Sequence, residues 1–142
     1  MAAIGTVHSL WRYPVKSMRG EELAEAFLGF SGVYGDRLFA FTSPAAQKGF
    51  PFFTARDQRE MLRYRPRFRS PDKAARPVNL AEAEKLGPGI TPLYAHPADL
   101  MVDVVTPSGQ VLAIDDPHLV EMLAEGMRDE HALTLLRSDR AL

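Results

Sequence analysis

Lys16 and Ser17 directly follow Pro14 and Val15, and Arg37 follows Gly35 and Asp36. A lysine supplies a point charge, a serine a hydroxyl, and an arginine a planar fork suited to phosphate oxygens. Pro14 cannot donate to a sheet ladder, so it ends the strand-like run that begins at Ile4. Gly35-Asp36-Arg37 opens a second run, Leu38 to Thr42. Lys16 at one strand end and Arg37 at the start of another could both point into one mouth of a barrel and grip an anion. The residues also allow a plainer reading. Arg37 could pair with Asp36 or a nearby carboxylate while Lys16 is simply solvated, because surface ion pairs are common and weak.

A second charged pattern lies further on. Leu62, Tyr64, Pro66 and Phe68 alternate with Arg63, Arg65, Arg67 and Arg69. Period two places the four arginines on one face of a strand and the apolar groups on the other. Pro66 demotes this strand to an edge or a bulge. With Arg56, Arg59 and Arg76 nearby, the density could meet phosphates of nucleic acid or of a nucleotide. Tyr64 and Phe68 fall on the opposite face and cannot serve as stacking platforms between the arginines. A solvated edge whose like charges deter edge-to-edge pairing explains the stripe as well. The net charge of −1 speaks against a nucleic-acid partner.

Other chemistry has little support. His8, His96, His118 and His131 are scattered over separate elements without metal-ligand spacing. Ser9, Ser17 and Ser108 lack the Gly-x-Ser-x-Gly setting of a hydrolase nucleophile. Asp115-Asp116 reads as helix capping. Gly29-Phe30-Ser31-Gly32 and Gly87-Pro88-Gly89 are not phosphate-loop fingerprints. The chain contains no cysteine, which excludes disulfides, thiolate zinc sites, iron–sulfur clusters and a cysteine nucleophile. With no nucleophile, acid/base pair or metal cluster at a convincing spacing, no catalytic residue is assigned and the isolated chain is not expected to be an enzyme. The cysteine count and the lack of a signal peptide make the cytoplasm the expected location. No stretch approaches the roughly 20 apolar residues that span a bilayer.

The elements that must position these residues are mainly β. The 142 residues, 46% apolar and 25% charged, suffice for one domain with a core. Strands are expected over 4–13, 23–28, 38–42, 52–56, 62–69, 100–106 and 110–114, with a last one near 133–136. A hairpin-type connection spans 43–51, and Pro107-Ser108-Gly109 is a turn. Asp116 followed by Pro117 starts a helix whose apolar face carries Leu119, Val120, Leu123 and Met127. Asn79 could cap a short helix through Leu86, ended by Gly87. Residues 70–99 form the least regular region, a Pro-rich loop. The expected fold is a single small antiparallel barrel or half-barrel over residues 1–142, α+β in the sense of one or two short helices.

Tyr13-Pro14-Val15-Lys16-Ser17 followed by Gly35-Asp36-Arg37 resembles the N-terminal β-barrel domain of MOSC proteins. Thr54-Ala55-Arg56 is similar to the Thr-x-Arg that follows the next hairpin in that family. The resemblance covers roughly residues 4–69 by motif order and strand pattern, and residues 100–136 are similar without a sharp motif. It implies that Lys16, Ser17 and Arg37 lie at the phosphate side of a molybdenum cofactor's pyranopterin. In full-length relatives a second domain carries the cysteine thought to hold metal or sulfur. No cysteine occurs here, so the resemblance implies a stand-alone N-terminal domain without that centre. Phe39 stands where the family often has tryptophan. The expected function is a non-catalytic binding module for a phosphorylated small molecule or a molybdopterin-type ligand. The alternative is a subunit or substrate-recognition partner of a separate MOSC-type oxidoreductase.

Overall fold

The computed structural model describes residues 2–29, 31–86, 93–127 and 133–138. Among them, short strands pair into four small antiparallel sheets that do not join into a closed barrel. Strand β1 (Leu10–Arg12) pairs with β2 (Glu21–Leu23), placing Arg12 opposite Glu21. Strands β3 (Leu28–Gly29) and β4 (Gly32–Val33) form a minimal hairpin. Strand β5 (Phe39–Thr42) is the centre of a three-stranded sheet. It lies between β6 (Phe52–Phe53) and the last strand, β10 (Thr134–Arg137). Strands β7 (Arg65–Phe68), β8 (Val102–Val105) and β9 (Val111–Ala113) form the fourth sheet in that order.

The core forms where aromatic and β-branched residues can be buried on a paired strand. Phe39, Ala40 and Phe41 of β5 are all 1% exposed or less. Each large apolar side chain so buried contributes about 1.5–3 kcal/mol. Val15, Leu38 and Phe53 pack with them, as do Met61, Val104 and Ile114. Helix α2 (Pro117–Ala124) closes the core with Leu119 and Leu123. The Asp116 side chain accepts the His118 amide at its start, and Pro117 fills the first helical turn, as the sequence predicts.

The fourth sheet follows the two-residue period. Pro66 and Phe68 are buried, while Arg65 and Arg67 face solvent. Pro66 is accommodated because β7 is the edge of its hydrogen-bonded sheet. The strand is shorter than expected, however. Residues Arg59–Arg63 form a 3₁₀ turn, which buries Met61 and exposes Leu62. The Gln58 side chain accepts the Glu60 amide and fixes that turn locally.

Other departures share one cause: a β-compatible run becomes a strand only where a partner supplies a ladder. The expected 4–13 strand shrinks to β1, because Glu21–Leu23 offers three rungs. Ile4 and Val7 are left exposed. The expected 23–28 strand splits between β2 and β3. Pro97–Leu100 is a 3₁₀ turn, capped by the His96 ring, so β8 starts only at Val102. In the Pro-rich region, helix α1 covers Leu80–Leu86, as expected. The Asn79 side chain accepts the Leu93 amide at 2.8 Å and ties the start of α1 to the chain beyond it. Gly87-Pro88-Gly89 and His131 lie outside the described residues.

Candidate functional site

The two motifs are held together by backbone bonds. The Arg37 amide donates to the Tyr13 carbonyl at 2.6 Å, and the Phe39 amide to the Pro14 carbonyl at 3.1 Å. The Lys16 amide returns to the Phe39 carbonyl at 2.8 Å. Val15 and Phe39 thus form a short parallel bridge at the entrance to β5. The Asp36 carboxylate adds a further tie, accepting the Tyr13 amide at 2.7 Å. Pro14 keeps its role because only its carbonyl is needed.

Ser17 and Arg37 both have left-handed backbones, with φ of 66° and 48°. They are the two non-glycine residues with positive φ among the described residues. Such a conformation costs roughly 1–2 kcal/mol for a residue with a Cβ. Strain of this kind gathers at functional sites.

The side chains are placed less simply. The Lys16 ammonium lies 4.8 Å from the centre of the Phe52 ring and 5.8 Å from that of Phe50. The Arg37 guanidinium pairs with Asp36 at 2.8 Å and sits 6.0 Å from the Tyr13 ring centre. This is the ion pair that the plainer sequence reading anticipates, and Arg37 stays about half exposed. Ser17 is half-buried between these groups in the chain. Lys16 and Arg37 are three positions apart along the parallel segment, roughly 10 Å at strand spacing. The structure aligns their backbones and joins the side chains through no direct contact. What the arrangement offers is a ring-backed ammonium, an adjacent hydroxyl and an arginine with donors left over from its carboxylate.

Thr54-Ala55-Arg56 has a local role. The Thr54 amide and hydroxyl both meet the Asp57 carboxylate, at 2.8 and 3.1 Å, and the Arg56 amide donates to the Thr54 hydroxyl. Arg56 itself is exposed. An open groove of about 440 Å³ lies away from the motif residues, lined by Glu25, Phe27, Ala75, Arg76, Leu80 and Glu84. Among the described residues, no three His, Asp or Glu side chains gather as a metal site. No helix among them is long and apolar enough to cross a membrane.

Sequence reasoning missed the residue that organises this end of the molecule. Arg12 is 3% exposed. Its guanidinium pairs with Glu21 at 2.7 Å, donates to the carbonyls of Tyr34 and Ala74, and lies 4.7 Å from the Phe68 ring centre. The one available signal was its place as a polar residue on the inward side of β1. Nearby, the Tyr34 hydroxyl accepts the Ala95 amide at 3.0 Å and its ring stacks on Tyr94. Burial pushes the Tyr34 pKa up. Arg137 on β10 lies over the Phe39 ring, and burial pulls its pKa down.

The family model of the MOSC N-terminal beta barrel domain matches residues 4–81, more than half of the chain. The chain belongs to this family. No curated protein and no solved structure matches it. The match to the MOSC N-terminal domain spans both motifs, the bridge that joins them, and β1 through β7. It ends inside α1, so β8, β9, α2 and β10 are placed in this fold by the structure's own pairing.

Proposed function

We propose that this MOSC N-terminal domain is a non-catalytic binding module for a phosphorylated small molecule, gripped by Lys16, Ser17 and Arg37. The observation that carries the reading is the backbone pairing of the two motifs, with left-handed conformations at Ser17 and Arg37. Two strained residues at two of three candidate ligands are accounted for if their geometry serves a bound group.

A molybdopterin-type ligand is tested by the donor set. Its phosphate end fits: a lysine, a hydroxyl and the free side of an arginine are what a phosphate accepts from. Its metal end finds no thiolate, because the chain has no cysteine. When bound, such a cofactor supplies redox chemistry at its metal. The residues here would hold and orient the phosphate. The missing thiolate favours a second reading, in which a separate MOSC-type protein provides that ligand and this domain is its partner.

Titration with pyrophosphate, followed by amide chemical shifts, tests the module. Shifts centred on residues 13–18 and 35–39, lost in the Lys16→Ala/Arg37→Ala double variant without unfolding, support it. No shift in these segments with pyrophosphate or with a pterin phosphate overturns it.

A further inference from the structure

We propose that the solvent face of the β7–β8–β9 sheet is a docking surface for an extended acidic protein segment. The inference is independent of the Lys16 site, which lies at the entrance to β5. In this sheet Arg65 stands directly opposite Val105, and Arg67 opposite Asp103. Val105 and Asp103 in turn face Val111 and Ala113 on β9. Directly opposed residues share a face. One side of the sheet therefore carries Arg65, Arg67, Asp103, Val105, Val111 and Ala113. The other carries Pro66, Phe68 and the buried valines.

This outer face is both basic and apolar. Val111 is 60% exposed and Val105 is half-buried. Arg63 and Arg69, at the flanks, are neutralised by Glu60 at 2.8 Å and by Asp103 at 2.7 Å. Asp103 is thereby taken, and Arg65 and Arg67 have no carboxylate partner among the described residues. The surrounding segment, 56–76, carries eight Lys and Arg against three Asp and Glu, in a chain whose total is −1. The positive charge is concentrated here.

The spacing selects the partner. Arg65 and Arg67 are two residues apart on a strand, so their stems rise about 6.6 Å from each other. An extended segment with carboxylates at alternate positions has the same repeat. Nucleic acid fits less well. The strand's aromatic residue, Phe68, and its neighbour Tyr64 are buried on the far side, so no base can stack between the arginines. Two free arginines also fall short of the roughly 6–10 phosphate contacts of a strong nucleic-acid binder.

The test uses the full chain and a labelled Glu-Val-Glu-Val-Glu peptide, read by anisotropy and by amide shifts. Binding with shifts on residues 65–67, 103–105 and 111–113 is expected. The Arg65→Ser/Arg67→Ser variant should weaken it at least tenfold while keeping its unfolding midpoint. Equal binding of a Lys-Val-Lys-Val-Lys peptide, or shifts scattered elsewhere, overturns the proposal. Tighter binding of an oligouridylate through Arg65 and Arg67 also overturns it, by making the face a nucleic-acid surface.

Discussion

The carboxylate of Asp36 lies 2.8 Å from the guanidinium of Arg37. Its other oxygen accepts the Tyr13 amide, so one side chain both ties the two motifs and competes with any anion for Arg37. Asp36→Asn separates these roles. Its amide oxygen can still accept from Tyr13, while the negative charge is gone. Removing a charge a few ångströms from a bound anion is worth about 1 kcal/mol near a surface. Pyrophosphate affinity should rise about fivefold, measured by the same shift titration, with stability lowered by less than about 1 kcal/mol.

The backbone at Ser17 predicts a trade between stability and binding. Ser17→Gly relieves roughly 1–2 kcal/mol of left-handed strain. It adds about 0.5–1 kcal/mol of chain entropy to be lost on folding. The variant should be as stable as the parent or up to about 1 kcal/mol more stable in urea, while its pyrophosphate response falls. Ser17→Val, β-branched at φ 66°, should be clearly destabilised.

Arg12 joins β1, β2, the Tyr34 turn and the turn containing Ala74. Arg12→Ala should cost about 3–5 kcal/mol, the range for breaking a buried pair by removing one partner. Arg12→Lys should recover only part of this, because an ammonium cannot reproduce the planar fork. Denaturant midpoints of the two variants measure the difference.

Two glycines with nearly equal φ should behave differently. Gly35 has φ of 82° and Gly49 of 85°. A Cβ at Gly35 would lie 2.9 Å from the Arg12 guanidinium, whereas one at Gly49 meets nothing within 4 Å. Gly49→Ala should cost only the backbone strain, about 1–2 kcal/mol. Gly35→Ala should cost more, since it also displaces Arg12. Thermal unfolding of both variants orders them.

Alkaline stability should depend on Tyr64. Burial, helped by the charges of Glu125 and Glu60, raises its pKa above the ordinary tyrosine value. The folded state therefore favours the neutral phenol. The resulting stability is fully present below the unfolded pKa near 10 and is lost as pH rises through the higher folded value. Urea midpoints at pH 9 and pH 11 should differ less in Tyr64→Phe than in the parent.

Much of this was legible in the sequence because it is local. Pro14, Gly35 and Pro117 restrict their own backbones, and the alternation at Arg65-Pro66-Arg67-Phe68 sorts faces at a period of two. The family was carried by the short motifs around Lys16 and Arg37. The extent of β1 was not legible, because Ile4 and Val7 are as strand-compatible as Leu10 but find no ladder partner. Nor was the 3₁₀ turn at Arg59–Arg63, which the pattern of Leu62 and Tyr64 disguises.

By itself the sequence determined where a lysine, a serine and an arginine stand in two short motifs, the mainly β character, and the absence of any thiolate. Those properties belong to single residues and short windows. Only the tertiary structure decided that Tyr13 and Arg37 lie on adjacent backbones, that Asp36 occupies one side of Arg37, and that Arg12 is buried on Glu21. Each of these joins separate segments or sets a side-chain direction. The contacts between segments form only when the chain has paid the entropy of closing the loops between them.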